Sequence, residues 1–231
     1  EAAGRHADAR QYYRRSLRLR QELLGPRHPE TVDALHSVAT QLFAEGRYDL
    51  AESDFLELLE RQSNLHGADS TTVGAIHHNL AQLYRFRRHP DRAEPHARRA
   101  YEIARKNNGP EHPETAEAMH TLAMTLGAMG QYEDAEPLAY RALDIYRDTK
   151  GEDHPDIGTF YHDVAWEFFF KRGRLADAES IWRHALHIRL KRLGPDHPST
   201  ASIYNGLAIA ILDQGRLAEA EPFYLRAIEA Q

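Results

Sequence analysis

The 231-residue sequence contains no cysteine, which excludes disulfide bonds, thiolate metal sites and cysteine nucleophiles and fits a reducing compartment. It has no apolar run near the roughly 20 residues that a membrane-spanning helix needs, and its first residues lack the apolar core of a signal peptide. No charge of one sign dominates, because the formal net charge is -6 and acidic and basic residues are interspersed. We therefore expect a cytoplasmic chain that binds neither nucleic acid nor a membrane.

Common catalytic motifs are also missing. The sequence has no His-Glu-x-x-His, no glycine-rich phosphate loop with lysine and no Gly-x-Ser-x-Gly. Glu117 and His120 form a Glu-x-x-His pair of the kind found in di-iron bundles, but such bundles need two facing pairs, and the nearest analogue, Asp33 with His36, lies two repeats away. We expect no enzyme activity, no metal and no cofactor. A stand-alone metal enzyme stays an alternative that metal analysis can test.

What the sequence does contain is a repeat. The phrase Gly-Arg-Tyr-x-x-Ala-Glu at Gly46 returns along the chain, and its alanine is found at Ala9, Ala51, Ala93, Ala135, Ala178 and Ala220. The intervals are 42, 42, 42, 43 and 42 residues. A second phrase, Leu-Gly-Pro-x-His-Pro-x-Thr, begins at Leu24 and recurs with the same period. A repeat of this length predicts a helical array rather than one globule.

Each repeat reads as two helices, A and B. Proline at the first position and an acid in the first turn, as in Pro29 and Glu30, predict the start of helix A. Apolar residues follow at helical spacing until Gly46, and Tyr48 then opens helix B with its stripe of alanine and larger apolar residues. No alternation of period two is present, so we expect an all-α fold of about eleven helices.

These residues resemble the tetratricopeptide repeat family, in the long form found in kinesin light chains and many bacterial proteins. The small residue of helix A in that family matches Ala39, Ala81, Ala123, Ala165 and Ala208. The resemblance covers the whole chain and implies a right-handed superhelical solenoid whose A helices line a concave groove for a peptide or partner protein.

We divide the predicted array, 1-231, into a partial unit at 1-24 with helix B only and helix pairs at 25-65, 66-108, 109-150, 151-192 and 193-231. Repeat arrays need polar caps at their ends, and neither end here has one. We therefore expect the sequence to be a segment of a longer chain.

The resemblance also implies which residues face the groove, at fixed offsets from the small alanine of helix A. These predicted binding residues are His36, Thr40, Phe43, His78, Gln82, Arg85, Phe86, His120, Met124, His162, Trp166, Phe169, Phe170 and Asn205. The first offset holds four histidines in succession, 42 residues apart, followed by Asn205. Phe168 occupies a core position, whereas Trp166, Phe169 and Phe170 exceed what packing needs. Contiguous exposed aromatic residues typically mark a contact surface, and Arg85 would select an acidic group beside them.

Several interpretations stay open. The histidines are either polar residues that bond to neighbouring helices, or ligand contacts that strengthen as imidazole charges near pH ~6.5. Superhelix curvature or a neighbouring helix would also cover some aromatic residues. Arginines of helix B, such as Arg14, Arg15, Arg18 and Arg20, form a solvated face or meet an acidic partner. We expect a non-catalytic scaffold for protein-protein interaction or, as the alternative, a regulatory or sensor repeat domain of a larger signalling enzyme such as a kinase, nucleotide-switch or caspase-like protease chain.

Overall fold

The structure, a computed structural model, describes residues 15–25 and 28–230. Residues 15–24 are helical and form α1. Ten further α-helices follow: α2 (Pro29–Ala44), α3 (Tyr48–His66), α4 (Thr71–Phe86), α5 (Pro90–Asn108), α6 (Pro113–Ala128), α7 (Tyr132–Lys150), α8 (Pro155–Val164), α9 (Leu175–Leu193), α10 (Pro198–Asp213) and α11 (Leu217–Glu229). No strand occurs in the described ranges, so the expected all-α fold of about eleven helices is confirmed there. Ala9 and Arg14, used in the sequence argument, lie outside these ranges.

The helices pair in chain order. Helices α2, α4, α6, α8 and α10 are the predicted A helices, and each packs against the B helix that follows it. The chain forms two compact units, Glu1–Gly109 and Pro110–Gln231. The first holds the α2–α3 and α4–α5 pairs, and the second holds the other three. The assignment of all five pairs to one array stays a prediction.

Histidine caps open four of the five A helices. In α2, α6, α8 and α10 the Nδ1 atom of the preceding histidine accepts a hydrogen bond from the backbone N–H two residues on, at 3.3, 3.2, 3.2 and 3.1 Å. These are His28, His112, His154 and His197. Ser70 has the equivalent role before α4. A side-chain acceptor at this position satisfies one of the N–H groups left free at a helix start, so these side chains stabilise the starts of the A helices.

The core of each unit is built from the two predicted stripes. In the first unit the helix A stripe of Leu35, Val38 and Leu42 packs against Phe55 and Leu58 of helix B. All five repeat alanines of helix B in the described ranges are fully buried. Their small side chains let the helix axes approach, and the larger residues fill the space between them.

One A helix departs from regular geometry. After α8 the chain forms a π-helical turn, Ala165–Phe169, and then a short 3₁₀ turn, Phe170–Arg172. The small alanine of helix A and the alanine of helix B are 13 positions apart in this pair, Ala165 to Ala178, and 12 positions apart in each of the others. A π turn takes up one extra residue within a helix. One interval in the sequence is therefore 43 residues rather than 42 because this pair contains an inserted residue, which the π turn accommodates.

Candidate partner-binding surface

The two predicted binding histidines of the first unit, His36 and His78, already contact other side chains within the fold. His36 is half-buried, and its Nε2 atom lies 3.4 Å from the side-chain nitrogen of Asn79 on the next A helix. The Nε2 atom of His78 lies 2.7 Å from the side-chain nitrogen of Gln82, one turn further along α4. An amide N–H group can only donate, so in both pairs the imidazole nitrogen accepts. These contacts tie helix A to its neighbour and to its own next turn.

The two histidines of the second unit lie deeper. His120 is only 7% exposed, its Nε2 atom lies 3.5 Å from a carboxylate oxygen of Asp163, and its ring stacks on Phe160 at 3.9 Å. The Nδ1 atom of His162 accepts a hydrogen bond from the indole N–H of Trp182 at 3.0 Å. Burial lowers the pKa of His162, so this imidazole stays neutral near pH 7.

All four histidines thus contact other side chains of their own unit. This supports the first of the two interpretations that the sequence left open, in which the imidazoles bond to neighbouring groups. Their use as ligand contacts stays a prediction. A ligand would have to contact the ring atoms that are not engaged in these internal contacts, or replace one of the internal contacts.

Like His120, two further predicted binding residues lie in the core. Met124 is 1% exposed and Phe169 is 8% exposed, so neither side chain is available to a partner on the surface of this structure. The prediction that they face a groove is therefore wrong for the chain as it folds here. For Met124 the reason is its flexible, apolar side chain, which packs inward where Thr40 at the same offset is exposed.

For Phe169 the reason is the π turn. The backbone bond that closes each A helix runs from Arg47 to the carbonyl of Leu42 in the first pair, and from Arg174 to the carbonyl of Phe169 in the fourth. Phe169 therefore occupies the core position of Leu42, and Phe170 occupies the position of Phe43. The offsets counted from Ala165 are wrong by one residue beyond the turn. Phe168 and Phe169 are both buried, so the inserted residue adds an aromatic ring to the core.

Trp166 and Phe170 form a stacked pair on the second unit. Their ring centroids lie 4.9 Å apart with 20° between the planes, and both side chains are half-buried. Each also contacts Trp182 of α9, at 6.1 and 5.8 Å between centroids. The pair thus packs on a fully buried ring, while each of its two side chains keeps part of its surface exposed. Such a rigid aromatic surface binds a partner with little loss of side-chain entropy.

The π turn also brings a carboxylate into the protein. Glu167 is 7% exposed, and one of its oxygens accepts a hydrogen bond from the Lys171 ammonium group at 2.6 Å. Its side chain lies against Gly127 of α6, where an added Cβ would come within 2.7 Å of the Glu167 Cγ atom. Because Gly127 has no side chain, the π turn of the next A helix can pack closely against α6 at this position.

The other predicted residues are at least partly accessible. Phe43, Gln82 and Arg85 are half-buried, whereas Thr40, Phe86 and Asn205 are exposed. The rings of Phe43 and Phe86 meet edge to face at 5.4 Å, so the first unit has an aromatic surface of its own.

Sequence reasoning missed Trp182, the side chain on which the aromatic pair of the second unit rests. A usable signal was present, because the equivalent positions of the two preceding B helices hold Ala97 and Ala139. A compensating change lies in the next A helix, where Gly206 leaves the space that the Trp182 indole fills: a Cβ atom added at Gly206 would lie 2.7 Å from the indole.

Among residues 15–25 and 28–230, no group of three or more histidine, aspartate or glutamate side chains could hold a metal ion. Nor does any helix there combine the length and apolar character needed to cross a bilayer.

The arrangement of paired helices, capped starts and buried alanines defines a helical repeat protein of the solenoid class. A family model described as Tetratricopeptide repeat matches residues 1–40, 33–106, 90–148, 114–170 and 167–231. The chain belongs to the tetratricopeptide repeat family. A search of curated proteins gave no significant match.

Solved structures with this fold include BtubC (BKLC) from P. vanneervenii, with 22% identity, a TM-score of 0.73 and coverage of 97% of this chain and 90% of that one. A kinesin light chain-like protein from Podosopora anserina has 22% identity, a TM-score of 0.66 and coverage of 88% and 96%. The apo form of RapI has 20% identity, a TM-score of 0.75 and coverage of 98% and 77%. At these identities the likeness concerns the fold alone.

Proposed function

We propose that this chain is a non-catalytic scaffold that binds a peptide or partner protein, and that Trp166 and Phe170 are central contacts. The observation that carries the proposal is the stacked, half-buried aromatic pair on an A helix. The inserted residue and the room left at Gly127 support it, because both accompany the π turn, which contains Trp166 and ends directly before Phe170. A non-regular turn of this kind is frequent at functional sites.

The remaining accessible residues on the A helices of the second unit extend the proposed surface. In the second unit it includes Asn205, whose amide can pair with the backbone of an extended segment, and the exposed side of His162. The first unit has a proposed surface of its own, made by Thr40, Phe43, Gln82 and Arg85. We also propose a cytoplasmic location, because the sequence has no cysteine.

A second candidate is a sensor domain within a larger signalling chain. It is supported by the likeness in fold to a Rap protein complexed with Competence and Sporulation Factor, with 16% identity, a TM-score of 0.74 and coverage of 96% of this chain and 63% of that one. Under this candidate the aromatic surface would hold a signalling factor rather than a scaffold partner. The full open reading frame distinguishes the two, since only the sensor requires an attached effector domain.

The test replaces both aromatic residues, Trp166→Ala and Phe170→Ala, and uses Tyr140→Ala as a matched control, since Tyr140 is an exposed aromatic residue of a B helix. Proteins captured from a lysate by the wild type are identified by mass spectrometry, purified and titrated against all three forms. We expect the double variant to lose at least tenfold in affinity and the control to bind as the wild type does.

Circular dichroism and thermal melting are measured on the same samples. The double variant should keep its helical content, because the two side chains are only half-buried. A collapse of the fold would show that the pair is core, and unchanged affinity with an intact fold would refute the proposed contact surface.

A further inference from the structure

The turn between α4 and α5 in the first unit holds its chain in an unfavourable conformation. Arg88 has a φ of 61°, and among the described residues it is the only one other than glycine with a positive φ. The equivalent turns of the other four pairs have glycine at this position: Gly46, Gly130, Gly173 and Gly215. A side chain in this region costs about 1 kcal/mol relative to glycine. No ion pair or side-chain hydrogen bond within the described residues compensates Arg88 for that cost.

An exposed aromatic ring lies two residues earlier. Phe86 is 64% exposed, the highest value for any phenylalanine or tryptophan in the described ranges. At the equivalent position the first and third pairs have Ala44 and Ala128. The ring is nevertheless held in place, because it stacks on Tyr48 with 14° between the planes and contacts the edge of Phe43. An apolar ring that is fixed and left in water is a feature of binding surfaces.

The charges around this turn leave Arg88 without a carboxylate partner in the part of the chain that the structure describes. Residues 84–92 include four arginines and one aspartate. Arg87 pairs with Asp49 at 2.8 Å and with Glu52, and Arg92 pairs with the same Glu52 at 2.6 Å. The carboxylates that face the turn from α3 are therefore already engaged by the two arginines on either side. Arg88 is exposed and has no such partner among the described residues.

We propose that Tyr48, Phe86 and Arg88, which we call the Phe86 corner, dock an acidic segment of a partner protein. An aromatic or aliphatic side chain of that segment packs on the Phe86 and Tyr48 rings, and a neighbouring aspartate or glutamate pairs with the Arg88 guanidinium. Arginine and aromatic residues are the types that contribute most at protein interfaces, and guanidinium pairs with carboxylate through two parallel hydrogen bonds. Charge complementarity selects the acidic segment, because residues 84–92 hold four arginines against one aspartate and Arg88 has no ion-pair partner among the described residues.

The Phe86 corner uses other residues than the Trp166 surface, so the two proposals can fail independently. A carboxylate partner would also explain why arginine remains where glycine is the unstrained choice. Replacing Arg88 with glycine removes both the backbone strain and the charge. We therefore expect the stability of the protein to rise and its affinity for the acidic segment to fall.

The test measures fluorescence anisotropy of three labelled probes: a pool of short peptides in which one aromatic or leucine residue is flanked by glutamates, the same pool with lysines in place of glutamates, and a single-stranded oligothymidylate. The proteins are the wild type, Phe86→Ala, Arg88→Gly and, as a control, Arg105→Ala, an exposed arginine at the far end of α5. We expect only the acidic pool to bind, with affinity at least threefold lower in the two corner variants and unchanged in the control. Arg88→Gly should at the same time melt at a higher temperature than the wild type.

Four outcomes would overturn the inference: no binding of the acidic pool up to about 1 mM, equal binding of the lysine pool, stronger binding of the oligonucleotide, or acidic binding that neither corner variant weakens. Trp166→Ala is titrated in the same series: if the acidic pool loses binding in this variant but not in Phe86→Ala, the proposed function stands and the Phe86 corner is refuted. Loss in Phe86→Ala alone supports the corner without testing the Trp166 surface.

Discussion

The third and fourth helix pairs of the chain, which both lie in the second unit, show how one repeat can be modified without a change of fold. In the third pair, α6 is an uninterrupted helix with no residue larger than methionine in its buried face. In the fourth, the A helix contains one more residue, a π turn and a cluster of aromatic rings. The histidine cap and the buried alanines of both helices are the same in the two pairs. Helix caps and repeat alanines therefore determine the fold of a repeat, whereas a few replacements of small residues by large aromatic ones determine the chemistry of its surface.

The largest effect is expected where the fourth pair departs most from the third. Trp182 is fully buried, and the third pair has Ala139 in its place. Trp182→Ala should reduce the free energy of unfolding by about 3–5 kcal/mol, because it leaves a cavity and removes the support of the aromatic pair. Urea denaturation followed by circular dichroism measures this loss. A reduction below about 1 kcal/mol would mean that the indole is not the support that the structure shows.

A smaller effect is expected at the contact between the two pairs. Gly127→Ala places a Cβ atom 2.7 Å from the Glu167 Cγ atom and 3.0 Å from the Phe168 ring. We expect a loss of about 1–3 kcal/mol from overpacking. The loss should be smaller when Glu167→Ala is already present, which a double-mutant cycle of denaturation measurements determines. Strict additivity of the two changes would contradict the contact.

The smallest effect concerns the second pair, compared with the third. His77 and His96 face each other with their Nδ1 atoms 2.8 Å apart, where the third pair has Met119 and Leu138. Burial, His96 and Arg99 lower the pKa of His77 from 6.5 to about 4, and burial also lowers the pKa of His96. Between pH 6.5 and about 4 the unfolded chain binds protons that the folded chain does not, so stability falls as the pH falls through this window.

The variant His77→Met with His96→Leu copies the third pair into the second. Thermal melts from pH 7 to pH 4 should lose less stability in the variant than in the wild type, by about 1 kcal/mol after allowance for solvent screening of this half-buried pair. The comparison uses the difference between the two proteins because other histidines, such as His162, titrate in both. Parallel curves would show that the imidazole pair has no role in the acid sensitivity.

The fold could be predicted because its signals are local and repeated. His-Pro starts, such as His112 with Pro113, and the alanine register each recur several times, so they reinforce one another. The surface was predicted less well, because burial depends on neighbours that a repeat does not encode. Met124 and Thr40 share one offset, yet one is buried and the other exposed. The 43-residue interval located the inserted residue, but not whether a loop or a helix would hold it.

The π turn also confines the inserted residue to a single helix. The backbone bond from Arg174 to Phe169 has the same place as the closing bond of every other A helix, so α9 begins in the standard phase. A mutation that adds an amino acid here therefore alters the side chains on offer to a partner and leaves the downstream repeats undisturbed. A modular protein built in this way can acquire a new specificity in one module while its remaining modules keep theirs.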